Sequence, residues 1–165
     1  MWHILVLTVM ASLTALYLGA EQKNVIAAEQ VKVENSADNM ALYREAVITY
    51  FSKNPSLYHS VDINTLKASN VLPTWSTLYT QPAAAIWTNY RDSDGMIYIF
   101  ASAPPPNSIV ADVLKLSQNS VLAGVYRNGD STLYSPVFGD TGIKLPLPAM
   151  APIPHGSPVW IAMIR

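Results

Sequence analysis

No Asp, Glu, Lys or Arg occurs in the first twenty residues, Met1 to Ala20, and this constrains the chain more than any other feature. The polar members of the stretch are His3, Thr8, Ser12 and Thr14, and small hydroxyls can return their hydrogen bond to a carbonyl one turn back. At a rise of about 1.5 Å per residue, twenty helical residues reach roughly 30 Å, the depth of a bilayer core. In lipid the backbone must satisfy its own donors and acceptors, so the segment is expected to be a helix there. Trp2, Ile4, Leu5, Leu7, Val9, Leu13, Leu16 and Leu18 are its expected membrane-anchoring side chains. Ala11, Ser12, Ala15 and Gly19 offer a small-residue face for packing against other transmembrane helices.

A removable signal peptide is the rival reading. It needs a basic start, a short apolar centre and a small-x-small cleavage site. Here the start has only the terminal amine and His3, the apolar run is long, and Leu18-Gly19-Ala20 is a poor cleavage site. An uncleaved anchor is therefore the expectation, with the remainder of the chain exported.

Charged residues make up only 13% of the chain and hydrophobic ones 50%. The net charge is −1 and there is no basic run, so a nucleic-acid partner has no electrostatic support. With no cysteine, a disulfide framework and a thiolate metal site are both ruled out. Nine Tyr and four Trp in a charge-poor chain point to an interaction surface.

Neither Gly nor Pro occurs from Ala20 to Lys53, so one long helix can run on from the anchor, although Ser36, Asp38 and Asn39 could instead cap a fresh one. Met40, Tyr43, Val47, Tyr50 and Phe51 recur at spacings of three and four, the packing face of an amphipathic helix, with Arg44, Glu45 and Lys53 off it. Asn54-Pro55 stops that helix, because proline disfavours helical geometry in the residue before it. Asp62 is placed to cap a short helix containing Ile63 and Leu66, which Asn70 to Pro73 ends. Ala84–Tyr90 and Met96–Ser102 flank a loop closing on Gly95 and read as a hairpin. Both faces of its second strand are apolar, so that strand is expected to be central.

Pro104-Pro105-Pro106 forces a corner, after which Asn107 or Ser108 is expected to cap a helix bearing Ile109, Val110, Val113, Leu114 and Leu116. Val121–Arg127 and Ser131–Ser135 flank Asn128-Gly129, the strongest short hairpin signal, and Gly124 inside the first strand marks a bulge or a close approach. Residues 145–158 hold five prolines and read as an extended segment over the surface. Val159–Ile164 is too apolar for a free tail and is expected to pair as a C-terminal strand.

The text Asn39-Met40-Ala41-Leu42-Tyr43-Arg44-Glu45-Ala46-Val47, then Leu66, Lys67, Leu72 and Pro73 before a small antiparallel sheet, resembles the PilM proteins of type IVb pilus systems, including the thin pili of conjugative plasmids. The resemblance implies a pilus-biogenesis component of the bacterial inner membrane, single-pass, with its head in the periplasm. Its partners would be membrane lipid and other pilus-assembly proteins or pilin. Major pilins carry a basic leader, a processing Gly and a Glu early in the mature helix, and Met1 to Ala20 has none of these in that arrangement. An unprocessed accessory protein is thus favoured over a fibre subunit.

No catalytic or metal-binding constellation emerges, and no cofactor is expected. His3, His59 and His155 show no metal-ligand spacing. Asp92-Ser93-Asp94-Gly95 faintly resembles the start of a calcium loop but is first of all turn chemistry. Gly139-Asp140-Thr141-Gly142 carries the triplet of aspartic proteases once only, and reads as a Gly-bounded loop. It and the weak cleavage site motivate the alternative of an exported hydrolase with a cleaved signal. A minor pilin is the other alternative. Trp75, Tyr79, Trp87 and Tyr90 are the candidate interaction surface, since aromatic rings give large contact area at low entropy cost.

The expected fold is α+β and pilin-like. A membrane helix (1–20) extends into a helical stalk and amphipathic helix (21–55). This packs on a small, mainly antiparallel sheet with one further short helix in a head spanning 56–165.

Overall fold

The computed structural model describes residues 36–105, 108–147 and 152–164. The anchor side chains from Trp2 to Leu18, the segment 21–35 and the candidate cap Asn107 lie outside these residues. Among the described residues no helix is long and apolar enough to cross a membrane.

Helix α1 occupies residues 36–53. Asp38 and Asn39 lie within it, so they do not cap a helix beginning at Met40. Its apolar stripe does what the spacing dictates: Met40, Tyr43, Val47 and Phe51 are buried, and Tyr50 packs half-buried at their edge, its ring edge-on to Phe51. Asn54 closes the last turn by donating its backbone N–H and its side-chain amide to the Tyr50 carbonyl. Arg44, expected off the apolar face, is half-buried, with its guanidinium 4.8 Å from the centre of the Trp160 ring. Burial there pushes its pKa below the usual guanidinium value.

Three short helices follow, where the expected head had one: α2 (Ile63–Ala68), α3 (Thr77–Thr80) and α4 (Val110–Leu116), with a 3-10 turn at Pro82–Ala84. Asp62 caps α2 as expected, accepting from the N–H groups of Asn64 and Thr65 at 2.8 and 3.0 Å. Helix α4 begins without a side-chain cap: its N-cap is Ile109, buried in the core, in place of Ser108. Apolar burial, not a capping bond, sets its start.

The strands are β1 (Trp87–Arg91), β2 (Met96–Ala101), β3 (Ala123–Val125), β4 (Thr132–Ser135), β5 (Gly139–Lys144) and β6 (Pro158–Met163), in one antiparallel sheet ordered β1-β2-β6-β3-β4-β5. The expected C-terminal strand β6 fills the middle, joining the two hairpins: it pairs Ile99 with Trp160 on one side and Ala123 with Trp160 on the other. Strand β2 is buried on both faces, as its composition requires. Ile97, Ile99 and Ala101 face the helices, while Tyr98 and Phe100 belong to a second core with Leu133, Val159 and Ile161.

Two further expectations, both in the second half of the chain, need correction. Residues 139–142 are part of strand β5 and not simply a loop; Thr141 Oγ1 donates to the Leu133 carbonyl at 2.8 Å, and Ser135 pairs with Gly139. The described part of the proline-rich segment does more than run over the surface, since Leu145 and Ile153 are buried in the second core. A strictly exposed path would leave the Tyr98–Phe100–Ile161 face uncovered.

Gly124 is a close approach. A Cβ there would overlap the Tyr134 backbone carbonyl, with its carbon at 2.9 Å and the Leu133 side chain at 3.2 Å. Only a residue without a Cβ lets β3 and β4 pair at this point.

Candidate interaction surface

The side wall of α1 carries exposed Asp38 and Glu45 and half-buried Ala41 and Leu42, the last two packed against the edge of the helix-side core. Opposite it stands Trp75, 75% exposed. Between them, floored toward Thr77, lies an open groove of about 640 Å³. That volume falls in the range of small-molecule pockets.

The position of Trp75 follows from the turn that carries it. Ser76 donates both its backbone N–H (3.0 Å) and its hydroxyl (2.8 Å) to the Pro73 carbonyl. The same Ser76 oxygen caps α3, accepting from the Tyr79 N–H. Leu72 on one side of this turn and Leu78 on the other are buried. The backbone around Trp75 is therefore pinned at both ends, and its indole has only solvent or the groove to face. Asn39 completes the wall by accepting from the Thr77 hydroxyl at 3.1 Å, which ties α1 to α3.

The other three aromatics proposed for the surface do not join Trp75. Trp87 is buried in the helix-side core. Tyr79 is half-buried, its ring 4.4 Å under the Lys67 ammonium, which also donates to the Tyr79 carbonyl. Tyr90 packs on the second core across the sheet, beside Tyr98. Sequence reasoning missed the helix wall: Asp38, Leu42 and Glu45 recur at four and three residues, a second stripe beside the apolar one, and this periodicity was the available signal.

The remaining titratable clusters are occupied with structural work. Asp92 accepts from the N–H groups of Asp94 and Met96 and from the Tyr98 hydroxyl, so its oxygens close the hairpin. Tyr98 is pushed up from 10.0, first by burial and then by the Asp92 charge. Asp140, exposed on edge strand β5, accepts from the Gly142 N–H at 3.0 Å; that bond, with help from Thr132, holds its carboxyl below the usual range. His155 Nδ1 accepts from the Asn128 N–H at 3.0 Å, pinning the proline-rich segment to the β3–β4 turn. Among the described residues no group of three His, Cys, Asp or Glu is placed to hold a metal ion.

A family model described as PilM matches residues 7–161. No curated protein sequence matches. Among solved structures, the crystal structure of a PilM protein from Escherichia coli B7A matches with a TM-score of 0.48 at 17% identity, covering 81% of this chain and 94% of that one.

Proposed function

The chain belongs to the PilM family, and from that premise we propose that it is a non-enzymatic, inner-membrane-anchored component of type IVb pilus assembly with its head in the periplasm. The observation that carries the reading is the uncharged apolar stretch Met1 to Ala20, joined through residues 21–35 to a head whose α1 wall forms an open groove with an exposed Trp. The mechanism is physical. A helix in lipid confines the head to the membrane surface, where the pilus machinery is built, and raises its effective concentration toward its clients. The head then recognises a partner through an exposed aromatic anchor, Trp75, carried on a pinned turn.

The test has two parts. Alkaline carbonate extraction of membranes is expected to leave the protein in the pellet, with intact mass showing an N-terminus at Met1 or Trp2. Recovery in the soluble fraction, shortened by about twenty residues, refutes the anchor. A deletion strain is expected to lose pili; normal pili in that strain refute the assembly role. Finding the protein in sheared pili would make it a fibre subunit instead.

A further inference from the structure

From the shape and charge of the groove we infer that it receives one helix of a partner protein, bearing an apolar side chain flanked by Lys or Arg residues. This deepens the assembly reading by naming the partner's chemistry, yet its test needs neither membrane retention nor pili.

Asp38 and Glu45 stand seven residues apart on α1, so they lie on one side of the helix about two turns, or roughly 10 Å, apart. Both are exposed. Neither forms an ion pair among the described residues, where the one salt bridge is Lys115–Asp112. Leu42 and Ala41 lie between the two acids, and the Trp75 indole faces them across the groove. The surface is thus an apolar seat with an exposed carboxylate at each end, Glu45 next to the half-buried Arg44 and Asp38 on a rim shared with Lys115, whose ammonium is held by Asp112.

A helix packed alongside α1 presents side chains at the same repeat, so basic residues seven apart on the partner would meet the two acids while the residue between them enters the seat. An added strand does not fit. One wall is helix α1 and the other is a turn running into helix α3, so the groove offers no sheet edge, which strand addition needs. Anionic headgroups and phosphates are repelled by the acid pair. A second copy docking through the same wall about a two-fold axis would set each of these acids against an acid of the other copy.

The test uses full-length protein in phosphatidylcholine nanodiscs, with empty nanodiscs as control. The probes are stapled helical peptides carrying Leu, Ile, Phe or Met between two lysines seven residues apart, and the same peptides with glutamates in place of lysines. Binding is read by fluorescence anisotropy. At least one lysine peptide is expected to bind, and its glutamate counterpart at least about tenfold more weakly. Trp75→Ala should weaken binding about 30-fold, the size of an interface hot spot. The double variant Asp38→Lys with Glu45→Lys should reverse the preference between the peptides. All three positions are exposed, so circular dichroism should be unchanged in these variants. Equal binding of lysine and glutamate peptides, or no binding of any, overturns the inference. So does a concentration-dependent dimer abolished by Trp75→Ala, which would give the groove to a second copy.

Discussion

Asn89 is the residue whose removal should damage the head most for the least change in volume. It is buried on β1 and its amide is fully engaged. Oδ1 accepts from the Val61 N–H at 3.0 Å, while Nδ2 donates to the Val61 carbonyl at 2.7 Å and to the Tyr43 hydroxyl at 2.6 Å. The side chain thus stands in for one residue of a neighbouring strand, continuing the pairing that His59 makes with Arg91 through both backbone bonds, at 3.0 and 2.7 Å. It fastens the segment before α2 to the outer edge of the sheet and ties both to α1. Asn89→Leu keeps the shape and strands three buried polar groups. Each unsatisfied group costs roughly 1–3 kcal/mol, and the added apolar burial returns part of that, so a net loss of about 4 kcal/mol is expected. For a domain stable by about 5–15 kcal/mol that is a large fraction. Urea unfolding followed by tryptophan fluorescence reads it directly, since Trp87 is buried two residues away on the same strand. A double-mutant cycle with Tyr43→Phe should show coupling of about 1 kcal/mol or more. A loss under about 1 kcal/mol, or no coupling, would show that Val61 and Tyr43 are held by other means and refute the hub.

Gly124→Ala is expected to cost about 3 kcal/mol or more, because the new methyl collides with the Tyr134 backbone, which cannot yield without parting β3 from β4; wild-type thermal stability in that variant would contradict the packing. Burial pushes the Tyr43 phenol from 10.0 up to about 12, with the Asn89 bond opposing and the Asp62 charge adding. The folded state holds this proton more tightly than the unfolded one, so its contribution is intact below pH 10 and fades as pH rises toward 12, a loss of roughly 3 kcal/mol. Urea midpoints between pH 9 and 12 should fall steeply, and less steeply in Tyr43→Phe; identical slopes would remove Tyr43 as the cause. The Asp62 carboxyl is held below 3.8, chiefly by the Thr65 hydroxyl and then by its N–H. Asp62→Ala should cost about 1 kcal/mol at neutral pH. The wild-type contribution should be present above pH 3.8 and vanish as pH falls through the depressed folded value, whereas Asp62→Asn should keep the cap and lose that acid dependence.

Local signals were legible wherever a residue's own chemistry decides the structure. The α1 stripe, the Asp62 cap and a turn at Asn128-Gly129 could each be read from neighbours in the chain, and at Gly124 the sequence allowed a bulge or a close approach, of which the structure has the second. What stayed hidden depends on distant partners. Strand β5 holds Gly139, Asp140 and Gly142, with positive φ at both glycines, and taken alone this is turn chemistry; it pairs because β4 lies beside it and Thr141 reaches across to Leu133. The central place of β6 could not be read either, since its apolar composition fits many positions in a sheet. In β1 the phase of the alternation misleads. Trp87, Asn89 and Arg91 are the inward set, although Asn and Arg read as outward residues, because the inner side of this edge supplies them with Val61, Tyr43 and the carbonyls of Pro55 and Leu57. For the same reason Trp75 and Trp87, alike in sequence terms, end on opposite sides of the solvent boundary.

That contrast separates what the two faces of α1 do. Its inner face is fixed to the sheet by Met40, Tyr43, Val47 and Phe51 and by the Asn89 bond. Its side wall holds Asp38, Leu42 and Glu45 at a position this anchoring determines, and the turn opposite is pinned by Ser76 and by Leu72 and Leu78. A binding surface carried on elements this constrained loses little conformational freedom when occupied, which is where much of the cost of association otherwise falls. Substitutions on the inner face should therefore lower stability while leaving the charge preference of the groove intact in whatever fraction stays folded. Trp75, Asp38 and Glu45 should do the reverse. A variant such as Val47→Ala that changed which peptide is preferred at unchanged folded fraction would show that the two faces are not independent, and that the groove is shaped by the core instead of merely being held by it.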